Sequence, residues 1–293
     1  MNNQLQYTLA NGVQYIDIFR DLSALNRKLI RQGRVAYVTD INYTIITGAA
    51  GTGGFLAMAA LPNDWVTNNA WKKGQAHWLS QQREARKLIG QSGKPVWEDF
   101  KVYFDAAHRT GGTAVIPGLS YGEWIYSKFV YNDGSLREPH IHIQGDDVGS
   151  TDVGLILNYE QSRATVQLND PDLPAEYSSN VYALMAEDEN EITDEVADNM
   201  EDDNDSPPYD QNDYPGNNTN LAVGHAANLV ASGASGMTVH WPAVICAPLG
   251  LLKLNHQGFT SNDASSATAP TGYLQFRIAY GNYKGLAAPS VGQ

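Results

Sequence analysis

Tyr273-Leu274-Gln275-Phe276-Arg277-Ile278-Ala279-Tyr280 alternates without a break. On an extended chain successive side chains face opposite sides, so Leu274, Phe276, Ile278 and Tyr280 share one face while Gln275 and Arg277 take the other. A strand with one apolar and one polar face belongs to an antiparallel sheet that covers a core on one side. Just upstream, Thr238–Leu254 has room for two strands broken near Pro248-Leu249-Gly250. Further back, Trp124–Tyr131, His140–Gln144, Val153–Tyr159 and Ala164–Leu168 are short β-rich runs parted by Gly, Asp, Asn and Ser. Val35–Thr47 reads as a strand rich in Val, Ile, Tyr and Thr, Gly48–Gly54 as a turn and Phe55–Leu61 as a short strand.

Helical signals are fewer. In Asp17–Arg34, Ile18, Leu22, Leu25 and Leu29 fall on one arc at 3.6 residues per turn, and Arg20, Arg27, Arg31 and Arg34 on the opposite arc. Asp17 and Asp21 sit where the helix dipole favours anions, and Gly33 closes the pattern. Trp71–Ile89 predicts a second helix, and Asn220–Ala231 a short third. Pro95–Arg109 reads equally as helix or strand. Short strands with long, varied connections predict a mainly β fold: a single jelly-roll sandwich with helical insertions and an N-terminal amphipathic helix. The predicted organisation is one domain over residues 1–293, with a helical segment at 16–34 and an acidic insertion at 186–219.

The 293 residues are 42 % hydrophobic and 17 % charged, against about 25 % charged in a typical soluble domain. Much of the surface is therefore uncharged, which suits a chain that buries area against other copies of itself. Charge is polarised. Up to Arg137 there are 15 Lys/Arg against 10 Asp/Glu, and after it 4 against 22. Thirteen of those acids lie in Glu187–Asp213, with no Lys or Arg among them. This stretch reads as a solvated loop. A divalent cation there is the functional rival, although the Asp-x-Asp-x-Asp-Gly spacing of a calcium loop is missing. A net charge of −13 argues against a free nucleic-acid binder. The single cysteine, Cys246, excludes an internal disulfide and fits a reducing compartment. The longest apolar run, Pro242–Leu252, is too short for a bilayer span, and the first residues read as no signal peptide.

Three motifs bear on chemistry. Gly134, then His140-Ile-His142, Asp147 and Gly154, resembles the first motif of cupins. Two strand histidines share a face, so His140, His142 and Asp147 could hold one iron or manganese ion. That resemblance implies a metalloenzyme. Asp147 stands where Glu is usual and no second motif follows, so the preferred expectation is structural histidines, no metal, no other cofactor and no catalysis. Gly118-Leu-Ser120-Tyr-Gly122 has the text of a nucleophile elbow, but its following residues read as strand where that motif needs a helix. The arginine stripe is the better signal for a partner. Arg20, Arg27, Arg31 and Arg34, with Lys28 beside them, are candidates for binding phosphates or stacking on bases. Pairing with the chain's own acids is the competing reading.

The C-terminal text, Pro248-Leu-Gly-Leu-Leu-Lys253 followed by Leu274-Gln-Phe-Arg-Ile-Ala-Tyr-Gly-Asn-Tyr-Lys-Gly285, resembles capsid proteins of small circular single-stranded DNA viruses. The likeness implies a single jelly roll that assembles in many copies into an icosahedral shell around the viral genome. It implies a place in the virion, no membrane and no small-molecule substrate. The family often carries a basic N-terminal arm. This chain has no Lys or Arg before Arg20, so the arginine stripe is the candidate genome contact.

Overall fold

The computed structural model describes residues 1–47, 52–89, 96–131, 134–141, 152–156, 158–159, 224–232, 236–260, 263–267 and 270–292. The chain divides into one unit of Met1–Asn158 with Pro215–Gln293 and a second of Tyr159–Tyr214. The second unit, Tyr159 aside, lies outside the described residues, and with it the acidic stretch Glu187–Asp213 and the expected strand Ala164–Leu168.

The first unit is mainly β. In chain order its elements are β1 (Gln4–Leu9), β2 (Gly12–Asp17), α1 (Ile18–Asn26), β3 (Val35–Thr47), β4 (Thr52–Ala60), α2 (Trp65–Ile89), α3 (Ala106–Thr110), β5 (Phe129–Val130), β6 (Leu136–His140) and β7 (Asp152–Gly154). Then follow β8 (Gly224–Ser232), β9 (Thr238–Trp241), β10 (Ile245–Pro248), β11 (Leu251–Thr260), β12 (Asp263–Ala267), β13 (Thr271–Ile278), β14 (Tyr280–Gly281) and β15 (Gly285–Leu286).

Two antiparallel sheets carry the fold. In the first, β13 lies between β1 and β3, and the far edge of β3 is shared by β10 and β9. In the second, β11 pairs with β4, β4 with β8, and the other side of β11 takes β2 and then β12. Leu5, Tyr7 and Leu9 of β1, Leu56 and Met58 of β4, Leu252 and Leu254 of β11, and Leu274, Phe276 and Ile278 of β13 join one buried cluster, as the two inner faces of a β-sandwich do. The alternation read at Leu274, Phe276 and Ile278 is thus the inside–outside rhythm of the sheet, whereas Tyr280, expected on the same face, lies past the end of β13 and is exposed. β1 and β2 were not foreseen, although Leu5, Tyr7 and Leu9 carry the same period of two.

β3 shows how one residue sets the pattern. Ala36 and Val38 are buried before Asp40, and Ile41, Tyr43 and Ile45 after it. Asp40 takes a left-handed φ of 51°, and the register against β13 slips at Gln275/Arg277. This bulge inserts one residue and shifts the phase of burial. It also divides the free edge of β3: β10 pairs along Val35–Val38 and β9 along Ile41–Thr44. The foreseen break at Pro248–Gly250 is a corner where the chain leaves the first sheet for the second. Leu249 and Gly250 have φ of 59° and 65°, and a Cβ on Gly250 would stand 2.6 Å from the Phe19 ring.

Several sequence expectations are corrected. The N-terminal helix spans Ile18–Asn26 rather than reaching Arg34. Arg27 is left-handed, its N–H returning to the Ser23 carbonyl. Ser23 Oγ then accepts from Ile30 N at 2.9 Å and turns the chain back. The second helix starts at Trp65, six residues before Trp71, because Asp64 caps it by accepting from Thr67 N at 2.8 Å. Of Pro95–Arg109, the described residues are irregular up to Asp105, and a short helix, Ala106–Thr110, takes up the end. Of Asn220–Ala231, expected as helix, the described part belongs to strand β8 (Gly224–Ser232): nine residues find a ready partner in the edge of β4, and that pairing overrides the helix preference of alanine. Trp124–Tyr131 forms a strand only at Phe129–Val130.

Candidate nucleic-acid interface

β2 and β4 both run antiparallel to β11, hence parallel to each other, and end at the same end of their sheet. The connection after β2 is α1 and its return; the connection after β4 is the long excursion of residues 61–223. Residues 97–124 of the second connection meet the first, and a cleft of about 460 Å³ lies between them. Arg20, Arg27 and Lys28 line it from the first connection; Trp97, Lys101, Tyr121, Glu123 and Trp124 line it from the second.

The five basic residues singled out in the sequence do not form one stripe, because the helix ends before Arg27. Arg20 is largely buried. It pairs with Asp21 at 2.7 Å, donates to the Ala114 carbonyl at 2.8 Å, and lies 4.8 Å from the Tyr121 ring centre. Arg31 donates to the Glu98 carbonyl at 2.6 Å and approaches Asp99 at 3.4 Å. Arg34 stacks 3.3 Å above the Tyr283 ring centre and donates to the Ala288 carbonyl at 2.8 Å. These three guanidinium groups hold the fold together. Arg27 and Lys28 alone of the five are exposed with no ion pair or side-chain hydrogen bond among the described residues, and both face the cleft.

Aromatic rings complete the lining. Trp97 is 67 % exposed at its mouth. Lys101 is buried, its ammonium 4.6 Å from the Trp124 ring centre. Sequence reasoning passed over Trp97, Lys101, Tyr121 and Trp124. The signal available was the interleaving of aromatic and small residues in Ser120-Tyr-Gly-Glu-Trp124 near two cationic segments, but nothing local says that these segments meet.

A buried polar cluster supports the cleft from below. Asp17 caps α1 by accepting from Arg20 N at 3.0 Å. Its Oδ2 accepts from Gln32 Nε2 at 3.2 Å, Trp124 Nε1 at 3.1 Å and Tyr126 Oη at 3.2 Å. Gln32, wholly buried, also donates to the Val102 carbonyl and accepts from Val102 N. Asp99 accepts from Gln32 N at 2.9 Å. Burial pushes the Asp17 carboxyl up to about 7, against the pull of the Arg20 N–H and guanidinium. Burial likewise raises Asp99, while Gln32 N–H, Arg31 and Lys101 oppose it. Burial lowers Lys101, against the nearby Asp99 and Asp17. One carboxylate therefore ties the helix start, the returning segment at Gln32 and the Trp124 wall of the cleft.

The other candidate motifs are placed differently. His140 lies on β6, in the small sheet β5–β6–β7 within the excursion between β4 and β8, and not on either main sheet. His142 and Asp147 lie outside the described residues. Among the described residues no group of three or more His, Cys, Asp or Glu could hold a metal ion. Ser120 sits in an irregular segment, without the strand before it and helix after it that an elbow requires. No helix among the described residues is long and apolar enough to cross a membrane. Comparison of the chain with family models, with curated proteins and with solved structures gives no match.

Proposed function

We propose that this chain is the subunit of a self-assembling icosahedral shell, a viral capsid protein built on a single jelly roll. The observation that carries this reading is the nesting of the strand pairs. With β9 and β10 taken as one row and β12 as an arm of β11, the sandwich has eight rows. The first pairs with the last (β1 with β13), the second with the seventh (β2 with β11), the third with the sixth (β3 with β9 and β10) and the fourth with the fifth (β4 with β8). Nested strand pairs wrapped into two four-row sheets support the jelly-roll reading, an arrangement frequent in viral shells.

Two further features support a subunit that meets its own copies. β1 and β8 each end a sheet with one side unpaired among the described residues, and an open edge is a place where chains add to one another. Val230 on β8 and Tyr280 beside β13 are exposed at 53 % and 74 %. Particles visible by negative-stain microscopy of the purified chain are the expected result. Monomers or dimers alone, in light scattering across salt and pH, would overturn the proposal.

A further inference from the structure

We infer that the cleft beside α1 is a binding site for single-stranded nucleic acid, an unpaired base stacking on Trp97 and the adjoining phosphates lying against Arg27 and Lys28. This deepens the shell reading, in which Arg27 and Lys28 are candidate genome contacts, and it is argued from the geometry of the cleft.

Arg27 and Trp97 are both unfavourable where they stand. Arg27 ends α1 in the left-handed region, with φ of 50°, a place where helices usually put glycine because other L residues are strained there. Trp97 exposes 67 % of its surface, leaving a large ring in water. Neither placement helps the isolated fold; both make sense if guanidinium and indole serve a ligand. Arg27 and Lys28 are free of intramolecular ion pairs among the described residues, so their charge is available to phosphates.

The ligand class follows from combining cations with an open ring. Single strands are held by basic grooves whose aromatic side chains take up successive bases, and stacking tolerates any base because each has a π face. A duplex hides those faces. Glu123, the one carboxylate among the described residues lining the cleft, discriminates against plain polyanions, yet it can accept from an exocyclic base amine. Inorganic polyphosphate offers neither a ring for Trp97 nor an amine for Glu123. The cleft volume of about 460 Å³ falls within the range of about 300–1,000 Å³ usual for pockets that enclose small ligands. It accommodates a nucleotide rather than the width of a helix.

The test is fluorescence anisotropy of a labelled oligodeoxycytidine with the full chain, competed by a duplex of the same length and by polyphosphate. Binding that only the unlabelled single strand displaces is expected. Trp97→Ala should weaken it roughly five- to hundred-fold, the loss of one stacked base, with the salt dependence unchanged. Arg27→Glu with Lys28→Glu should weaken it by at least about ten-fold and flatten the plot of log affinity against log salt, by roughly 0.7 per lost phosphate contact. All three residues are exposed, so thermal melting should confirm intact folding. Equal displacement by polyphosphate, undiminished binding by Trp97→Ala, or no binding would each overturn the inference. Light scattering on the same samples reports assembly separately: Trp97-dependent binding by a chain that never assembles would sink the shell reading and leave this one standing.

Discussion

Trp124 Nε1 donates to Oδ2 of Asp17 at 3.1 Å, so a wall of the cleft hangs from the residue that caps α1. Asp17 is fully buried, and burial raises its carboxyl from 3.8 to about 7. The folded state thus holds a proton that the unfolded chain has lost above pH 4. Stability from this group is complete below about pH 4 and declines as pH rises towards 7, by an amount on the order of a few kcal/mol. Asp17→Asn should remove that decline, so that the melting temperatures of the two proteins converge or cross between pH 4 and 7. Parallel curves would show that Asp17 does not titrate in this range.

Asp105 should behave in the opposite sense. Burial alone would raise its carboxyl, but His108 N–H, Tyr15 and Lys253 donate to it at 2.7, 2.8 and 3.0 Å and hold it below the usual value. Its stabilisation is present above pH 4 and is lost as the pH falls through its folded value. Asp105→Asn should lower stability at neutral pH by about 1–3 kcal/mol and narrow the gap to the parent in acid, measured by denaturant melts.

Gly250→Ala should destabilise by more than an ordinary surface change. The residue is left-handed, and the added methyl would meet the Phe19 ring at 2.6 Å. Strain and displacement of a buried ring together should exceed about 2 kcal/mol. A melting temperature within a degree of the parent would refute the tightness of this corner.

Arg27 and Arg34 should separate in opposite directions. Arg34→Ala loses the stack on Tyr283 and the bond to the Ala288 carbonyl, and should cost about 1–3 kcal/mol. Arg27→Gly relieves a left-handed side chain and should gain up to about 1 kcal/mol while weakening nucleic-acid binding. Calorimetry beside the anisotropy assay reads both quantities.

The sheet was legible in the sequence where alternation is strong, as in Tyr273–Ile278, and less so where polar residues dilute it, as in Gln4–Leu9; the same alternation overran the strand's end at Tyr280, which is exposed. The helix beginning at Asp17 was legible at its start and misread at its end. Periodicity ran on to Arg34, but a Ser23 side-chain bond and a left-handed Arg27 stopped it, and neither leaves a clear mark in the sequence. Ala-rich Gly224–Ser232 became a strand because a free sheet edge outweighed local preference. The cleft was half legible: Arg27 and Lys28 stood out as charges, whereas Trp97, Tyr121 and Trp124 acquire meaning only when two sheet-end connections, far apart in the chain, come together.

Asn3 donates to the Ile278 carbonyl across 275 positions of sequence, because the outermost strand pair of the nest joins β1 to β13. During synthesis at roughly 5–20 residues per second, β1 would leave the ribosome tens of seconds before its partner exists. Its Leu5, Tyr7 and Leu9 must wait exposed, while the inner pair of β4 and β8 can already close around its long excursion at an entropic cost that grows only with the logarithm of loop length. Closure from the middle of the nest outwards is therefore the expected order. A nascent chain whose β13 has yet to emerge cannot offer a finished sandwich to its neighbours.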